Sequence, residues 1–355
     1  MRILDRYIVR TILLHTLMVA VVLLALTMMF TFLGQQDDIG IGSYDVGDAF
    51  VFTALSVPQQ LFEGLPIAAL IGSILGLGGL ARDSELTVVR AAGVSVARIA
   101  GSAALAGLVL LVGLWVIGEY IAPPADQYAR QLKIFSKYSE YTAAGSRNSW
   151  VKDGRRFLNI QQQTAQNMFG GVYLFEFAPD RSLVRVGRAD TASNEGDLIW
   201  RFLNYAETRF EGGGTRANRS ATLDVEVNIN QEFLGLAVVE PAALPIRGLY
   251  AYAAHLRANN LESTAYETAL WSRIARTVSV ILVCVLSVPF AFGPMRSSGN
   301  GTRMVIGILA GALYFLVNRT LENSAQVYGL DPLLAAWVPA AALALLAVVS
   351  IRRVS

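Results

Sequence analysis

Cysteine is nearly absent from this 355-residue chain: Cys284 stands alone inside an apolar run, so no disulfide framework can form within it. Histidine is almost as scarce, and His15 and His255 lie far apart with no partner at metal-ligand spacing. Charge is thin as well, at 16% of residues and a net +2, too little for a nucleic-acid surface. Lysine occurs only at positions 133, 137 and 152; the other cations are arginines, whose planar fork suits phosphate. There is no Gly-Lys pair and hence no G-x-x-x-x-G-K-[ST] phosphate loop. No grouping of nucleophile, base and orienting residue marks an enzyme either. What is abundant is apolar: 54% hydrophobic residues and a mean hydropathy of +0.46 describe an integral membrane protein.

Arg2, Arg6 and Arg10 precede a run from Thr11 to Leu33 that holds no Asp, Glu, Lys or Arg. A helix of that length crosses about 30 Å of hydrocarbon, and the run is too long for a signal-peptide core with no small-x-small site after it. A polar external loop follows. The second run, from about Ala49 to Leu80, is interrupted by Pro58, Glu63 and Pro66, which predicts a helix that starts in the outer interface and kinks at a proline. Gly72 and Gly76 near its end leave room for another helix. A third span, Ile99 to Ile121, is expected to stop at Pro123-Pro124. Tyr266 to Phe292, Met304 to Leu321 and Pro332 to Ile351 complete six spans.

Residues 125–265 differ in character. FLNIQQQ, GGVYLFEF, SLVRVGRAD, LIWRFLNY and ATLDVEVNIN alternate with period two and are separated by turn signals at Ala178-Pro179-Asp180 and Glu211-Gly212-Gly213-Gly214. They predict a β domain outside the bilayer, from which a helix over Arg247 to Leu261 returns the chain to the membrane. The fold class expected is therefore α+β, with six membrane helices and a β domain inserted between the third and the fourth. Basic residues concentrate at the N-terminus, in 81–98, in 293–303 and at Arg352-Arg353, whereas loops 34–48 and 322–332 have none. The positive-inside rule then places both termini in the cytoplasm and the β domain on the far side.

Between the second and third spans lies ARDSELTVVRAAGVS, residues 81–95, too polar to cross a bilayer and too short for a domain. Asp83 or Ser84 is a candidate N-cap, Glu85 suits the first turn, Leu86, Val89 and Gly93 share a face, and Gly93 is a plausible stop. This predicts about three turns of amphipathic helix on the cytoplasmic face. Spacing alone leaves open whether it meets a partner or merely connects two spans.

Eight segments spread over the chain carry a resemblance: LDRYI (4–8), GSYD (42–45), SVP (56–58), LGLGGLARDSEL (75–86), GEYIAPPADQYAR (118–130), WVKDG (150–154), LWSRI (270–274) and FGPMRS (292–297). In these the chain resembles the lipopolysaccharide export permeases of the LptF/LptG family, with GSYD on the LptG side. The resemblance implies one half of an ABC transporter in the inner membrane of a Gram-negative bacterium, paired with an LptF-like subunit. It also implies an LptB ATPase dimer that carries the ATP and Mg²⁺, so that this chain holds no cofactor, and a periplasmic β-jellyroll-like domain that hands lipopolysaccharide to an LptC and LptA bridge. The domain division is then 1–124 with a coupling helix at 82–95, 125–265, and 266–355. An LptF-like role in the same transporter, or a non-transporting envelope scaffold, would share the gross features.

The family's coupling helix falls on Arg82, Asp83, Ser84, Glu85, Leu86, Val89 and Arg90, with Glu85 pairing a basic residue of the ATPase and Leu86 and Val89 as apolar anchors. Its basic lipopolysaccharide rim falls on Arg130 and Lys133, and Arg319, about 24 Å along a helix from Arg303, is a third candidate. Solvated or snorkelling charges would look the same. Phe30 on the first span and Gly307 and Gly311 on the fifth fall on the family's lateral gates, while Ile306, Leu309, Leu313 and Val317 recur at helical spacing as a cavity or lipid-facing stripe. One departure stands out: where related chains carry lysines on the outer half of the first span, this one has Thr31, followed by Asp37 and Asp38.

Overall fold

Backbone groups crossing hydrocarbon must bond to one another, so each long apolar run should be a helix. The computed structural model describes residues 3–137, 149–165, 168–193, 199–211, 213–226, 241–292 and 300–354. Its helices are α1 (Ile3–Leu33), α2 (Val46–Arg82), α3 (Glu85–Ala91), α4 (Val96–Val116), α5 (Ala122–Lys137), α6 (Ile246–Ala258), α7 (Thr264–Phe292), α8 (Asn300–Tyr328) and α9 (Pro332–Val354). Six membrane-length apolar segments are present among the described residues, and one antiparallel sheet lies between the third and the fourth. The chain is thus an α+β membrane protein with an inserted β domain.

Helix α2 is the axis of the bundle: 78% of its most apolar stretch is buried, against 11% for α1. It begins at an Asp45 capping box, in which Asp45 accepts from the Asp48 backbone N–H at 2.8 Å, and it runs unbroken through Pro58 and Pro66. Gly72 sits against the backbone of α1, where an added Cβ would lie 2.4 Å from the Thr16 Cα. Gly107 meets α7 in the same way, 2.7 Å from the Ile281 Cα.

The third span does not stop at its prolines. It passes from α4 through a π turn at Ile117–Ile121 directly into α5, which continues to Lys137. The cause is local. Pro123 and Pro124 have no N–H, so two donors are missing from the ladder, and the Ala122 N–H bonds back to the Ile117 carbonyl, one residue further than in an α-helix. That slip frees the Gly118 carbonyl, and the buried guanidinium of Arg273 on α7 donates to it. A neighbouring span thereby replaces the donors that the prolines remove. The next residue, Glu119, accepts from the Ile246 N–H at 2.8 Å and caps the start of α6 from a distance.

The sheet is a meander, β1 (Ser149–Asp153), β2 (Arg156–Ala165), β3 (Met168–Phe177), β4 (Leu183–Ser193), β5 (Ile199–Glu211) and β6 (Gly214–Glu226), each strand pairing with the next. The five alternating segments fall on β2 to β6, although residues 227–230 of the last lie outside the described residues. Where a jellyroll-like domain is expected, the described residues form this single sequential sheet, without the crossovers of two packed Greek keys. One face buries Leu158, Phe169, Leu174, Trp200 and Phe202, with Phe169 and Trp200 stacked at 5.0 Å. Gly187 leaves space for the Tyr205 ring, whose phenol burial pushes up to about 12.

The sheet is tied to the return helix through Asn259. The two-residue turn Gly154-Arg155, with Gly154 at φ +58°, presents its N–H to the Asn259 side-chain oxygen at 2.7 Å, and Lys152 donates to the Asn259 carbonyl at 2.7 Å. Beside this joint burial holds His255 below its ordinary pKa, against the opposing charge of Asp153. Asn259→Ala leaves the Gly154 N–H without its acceptor and should loosen the domain by about 1–3 kcal/mol. Faster amide exchange at Gly154, with the membrane helices unaffected, is the expected measurement.

Candidate coupling helix and charged rim

Helix α3 has seven residues, two turns rather than three, because its start is sharper than a capped start would be. Asp83 closes α2, its N–H bonding to the Gly79 carbonyl, and Ser84 takes the left-handed conformation at φ 64° with no side-chain cap. The expected N-cap hydrogen bond from Asp83 or Ser84 is therefore not made. The stop at Gly93 is as expected: at φ +86° it donates to Arg90, and Val94 donates to Val89, the paired bonds of a Schellman motif.

Leu86 and Val89 do share a face, but that face is turned inward. Leu86 is 2% exposed, and the partly buried Val89 packs on the same bundle core. The apolar side chain left outside is Val88, 67% exposed, beside the exposed Arg82, Asp83, Glu85 and Arg90. Two contacts tie the outward residues to other helices. The Tyr7 hydroxyl of α1 donates to Glu85 Oε2 at 2.9 Å, and the Arg90 guanidinium lies 5.5 Å from the Phe292 ring centroid at the end of α7. FGPMRS continues from Phe292 into residues 293–297, which lie outside the described residues.

The rim cations are each held by a carboxylate. Arg130 pairs with Asp126 at 2.7 Å. Lys133 and Lys137 converge on Asp38 at 2.6 Å and 2.5 Å, and Lys133 also donates to Gln35 and lies over Phe52. Asp38, which the sequence shows only as a departure at the first loop, is thus the group that fastens α5 to the end of α1. Arg319 is on another helix, 3.8 Å from Glu322 and 60% exposed.

Glu322 is the residue that sequence reasoning missed. Its carboxylate, 8% exposed, accepts from Asn318 at 2.8 Å and from Arg276 of α7 at 3.1 Å, in addition to pairing with Arg319. The signal was available, since Asn318 and Glu322 stand at i and i+4 in the C-terminal part of a span, where polar groups face one another. Arg273 and Arg276 both lie over Phe62 of α2, at 4.4 Å and 6.0 Å, so the cluster joins α2, α7 and α8.

On α8 the glycines make their close contact inside this chain. A Cβ on Gly311 would lie 3.0 Å from the Ile67 side chain and one on Gly307 3.4 Å from the Ile71 Cα, both on α2. Of the stripe, Ile306 packs on the core, while Leu309, Leu313 and Val317 are exposed, as is Phe30 on α1.

Comparison with known proteins agrees with this architecture over nearly the whole chain. The profile of the lipopolysaccharide export system permease LptF/LptG family matches residues 6–353. The chain is 31% identical to lipopolysaccharide export system permease protein LptG of Escherichia coli (strain K12) over 341 residues, which is 96% of this chain and 95% of the relative. It is 31% identical to LptG of Haemophilus influenzae over 339 residues, 95% and 94% of the two chains. Identity to LptF of Escherichia coli (strain K12) is lower, 23% over 292 residues and 80% and 76% of the two chains.

Proposed function

The chain belongs to the LptF/LptG family of lipopolysaccharide export permeases, and from that premise we propose that it is the LptG-type half of an inner-membrane ABC transporter, driven by a separate ATPase. Its partners are then an LptF-like subunit, an LptB dimer that binds ATP and Mg²⁺, and an LptC and LptA bridge that receives the lipid. Both termini and α3 face the cytoplasm, and the sheet faces the periplasm, in keeping with the arginine distribution. The chain supplies lipid handling and transmission of motion rather than hydrolysis.

The observation that carries this is α3: a short helix between two spans whose apolar face is fixed in its own bundle while Glu85, Val88 and Arg90 face outward. A helix seated that firmly moves with the spans, so force applied to its outer face reaches them. Glu85 meets a basic residue of the ATPase, and Val88 takes the anchoring role that Leu86 cannot. Arg130, Lys133 and Arg319 form the rim for lipid phosphates, and Phe30, Leu309, Leu313 and Val317 form the gate and cavity surface.

The test is reconstitution with an LptF-like subunit and LptB, scored for ATP-dependent extraction of lipopolysaccharide. Glu85→Ala should leave insertion intact and lower the ATPase retained on purification at least about tenfold, since truncating one partner of a hydrogen-bonded charge pair costs about 2–5 kcal/mol. Unchanged retention together with unchanged extraction would overturn the proposal. Extraction absent in the unaltered complex, with ATPase bound, would favour a scaffold.

A further inference from the structure

The Tyr7 ring is 45% exposed, so phenylalanine would serve its packing equally well. What the hydroxyl adds is one bond, to Glu85 Oε2 at 2.9 Å, spanning 78 residues of sequence and joining α1 to the first residue of α3. A bond to an ionised acceptor is among the stronger hydrogen bonds, and it selects one orientation of the carboxylate. The other oxygen, Oε1, makes no hydrogen bond or ion pair among the described residues.

The same end of α1 is fastened on its other side. Asp5 accepts from Ser102 at 3.0 Å and lies 3.7 Å from Arg98, both on α4, while Ile8, Val9 and Ile12 are buried in the bundle. The start of α1 is therefore held to α4 through Asp5 and to α3 through Tyr7. The rest of α1 packs on α2, with Gly72 against its backbone, so the Tyr7 bond is a direct side-chain link from α3 to α1 beside the route through α2.

We infer that Tyr7 is a positioning residue for energy transmission: its hydroxyl ties Glu85 to α1 and hands to α1 the displacement that the ATPase imposes on α3. This rests on the coupling role proposed for α3. Glu85 then has two faces, Oε1 toward the partner and Oε2 toward α1. Loss of the Tyr7 bond leaves the partner's attachment in place but separates hydrolysis from lipid movement.

The assembled transporter in lipid discs provides the test, with Tyr7→Phe and Glu85→Gln compared for ATPase retained, ATP hydrolysed, lipopolysaccharide extracted per ATP, and unfolding temperature. Tyr7→Phe should retain the ATPase and the unfolding temperature while extraction per ATP falls at least about tenfold, the scale of one charge-assisted hydrogen bond. Glu85→Gln keeps an acceptor for Tyr7 but loses its charge, and should instead lower ATPase retention. Unchanged extraction per ATP in Tyr7→Phe, with Glu85→Gln still losing the ATPase, overturns the Tyr7 inference and leaves the coupling helix standing. A fall in retention or in unfolding temperature with Tyr7→Phe overturns it too, because the hydroxyl would then serve assembly or stability. If neither variant changes any readout, the coupling role of α3 falls with it.

Discussion

Gly72→Leu should yield no stable, monodisperse chain in mild detergent, whereas Gly79→Ala, seven residues along the same helix, should behave as the unaltered protein. At Gly72 an added Cβ meets only backbone, at 2.4 Å and 2.5 Å from Thr16 and 2.8 Å from His15, so no side chain can rotate away and α1 itself must shift. At Gly79 nothing lies within 4 Å. Overpacking by one or two methylenes commonly costs about 1–3 kcal/mol, and Gly72→Ala already falls in that range. Leucine adds three further carbons on the same line. Gly76, where the nearest atoms are at 3.3 Å, should be intermediate as alanine. Thermal unfolding followed by size-exclusion fluorescence ranks the three positions, and equal behaviour of Gly72 and Gly79 variants would mean that α1 and α2 do not pack as described.

Glu322→Ala is the second large effect expected. It strips Arg276, whose side chain is 19% exposed, of its carboxylate and removes the acceptor for Asn318. Breaking a buried pair on one side costs about 3–5 kcal/mol, because the surviving charge is left uncompensated. The contribution of Arg319 is small, since it is mostly exposed and screened. Glu322→Gln retains an acceptor and should lose less than half as much. Replacing both members, Arg276→Met with Glu322→Leu, should recover the part of the unfolding temperature lost to the abandoned charge, but not the part lost with the acceptor of Asn318. If the double replacement is worse than Glu322→Ala, the cost lies in packing and not in an abandoned charge.

Much of this fold is legible in the sequence because its signals are long. Apolar runs of this length cross hydrocarbon as helices, and the period-two segments coincide with β2 to β6. Gly72 and Gly76 announce a close helix neighbour. The misreadings share a cause. Pro123-Pro124 signals a stop by every local rule, and the compensation is Arg273, 155 residues away in sequence. Asp38 looks like the loss of a cation until Lys133 and Lys137 arrive from α5 to meet it. Periodicity put Leu86 and Val89 on one face, but it carries no information on whether that face looks inward or outward.

The surplus residue in the π turn has a geometric consequence beyond the carbonyl it frees. Each residue of a helix turns its successors by about 100°, so everything from Ala122 onward is rotated by that amount relative to an uninterrupted α4. The azimuth that aims Lys133 and Lys137 at Asp38 is set at Gly118, not in α5. The buried arginine on α7 and the lysine clasp at the end of α5 are thus two ends of one phase shift, and neither can be re-aimed alone.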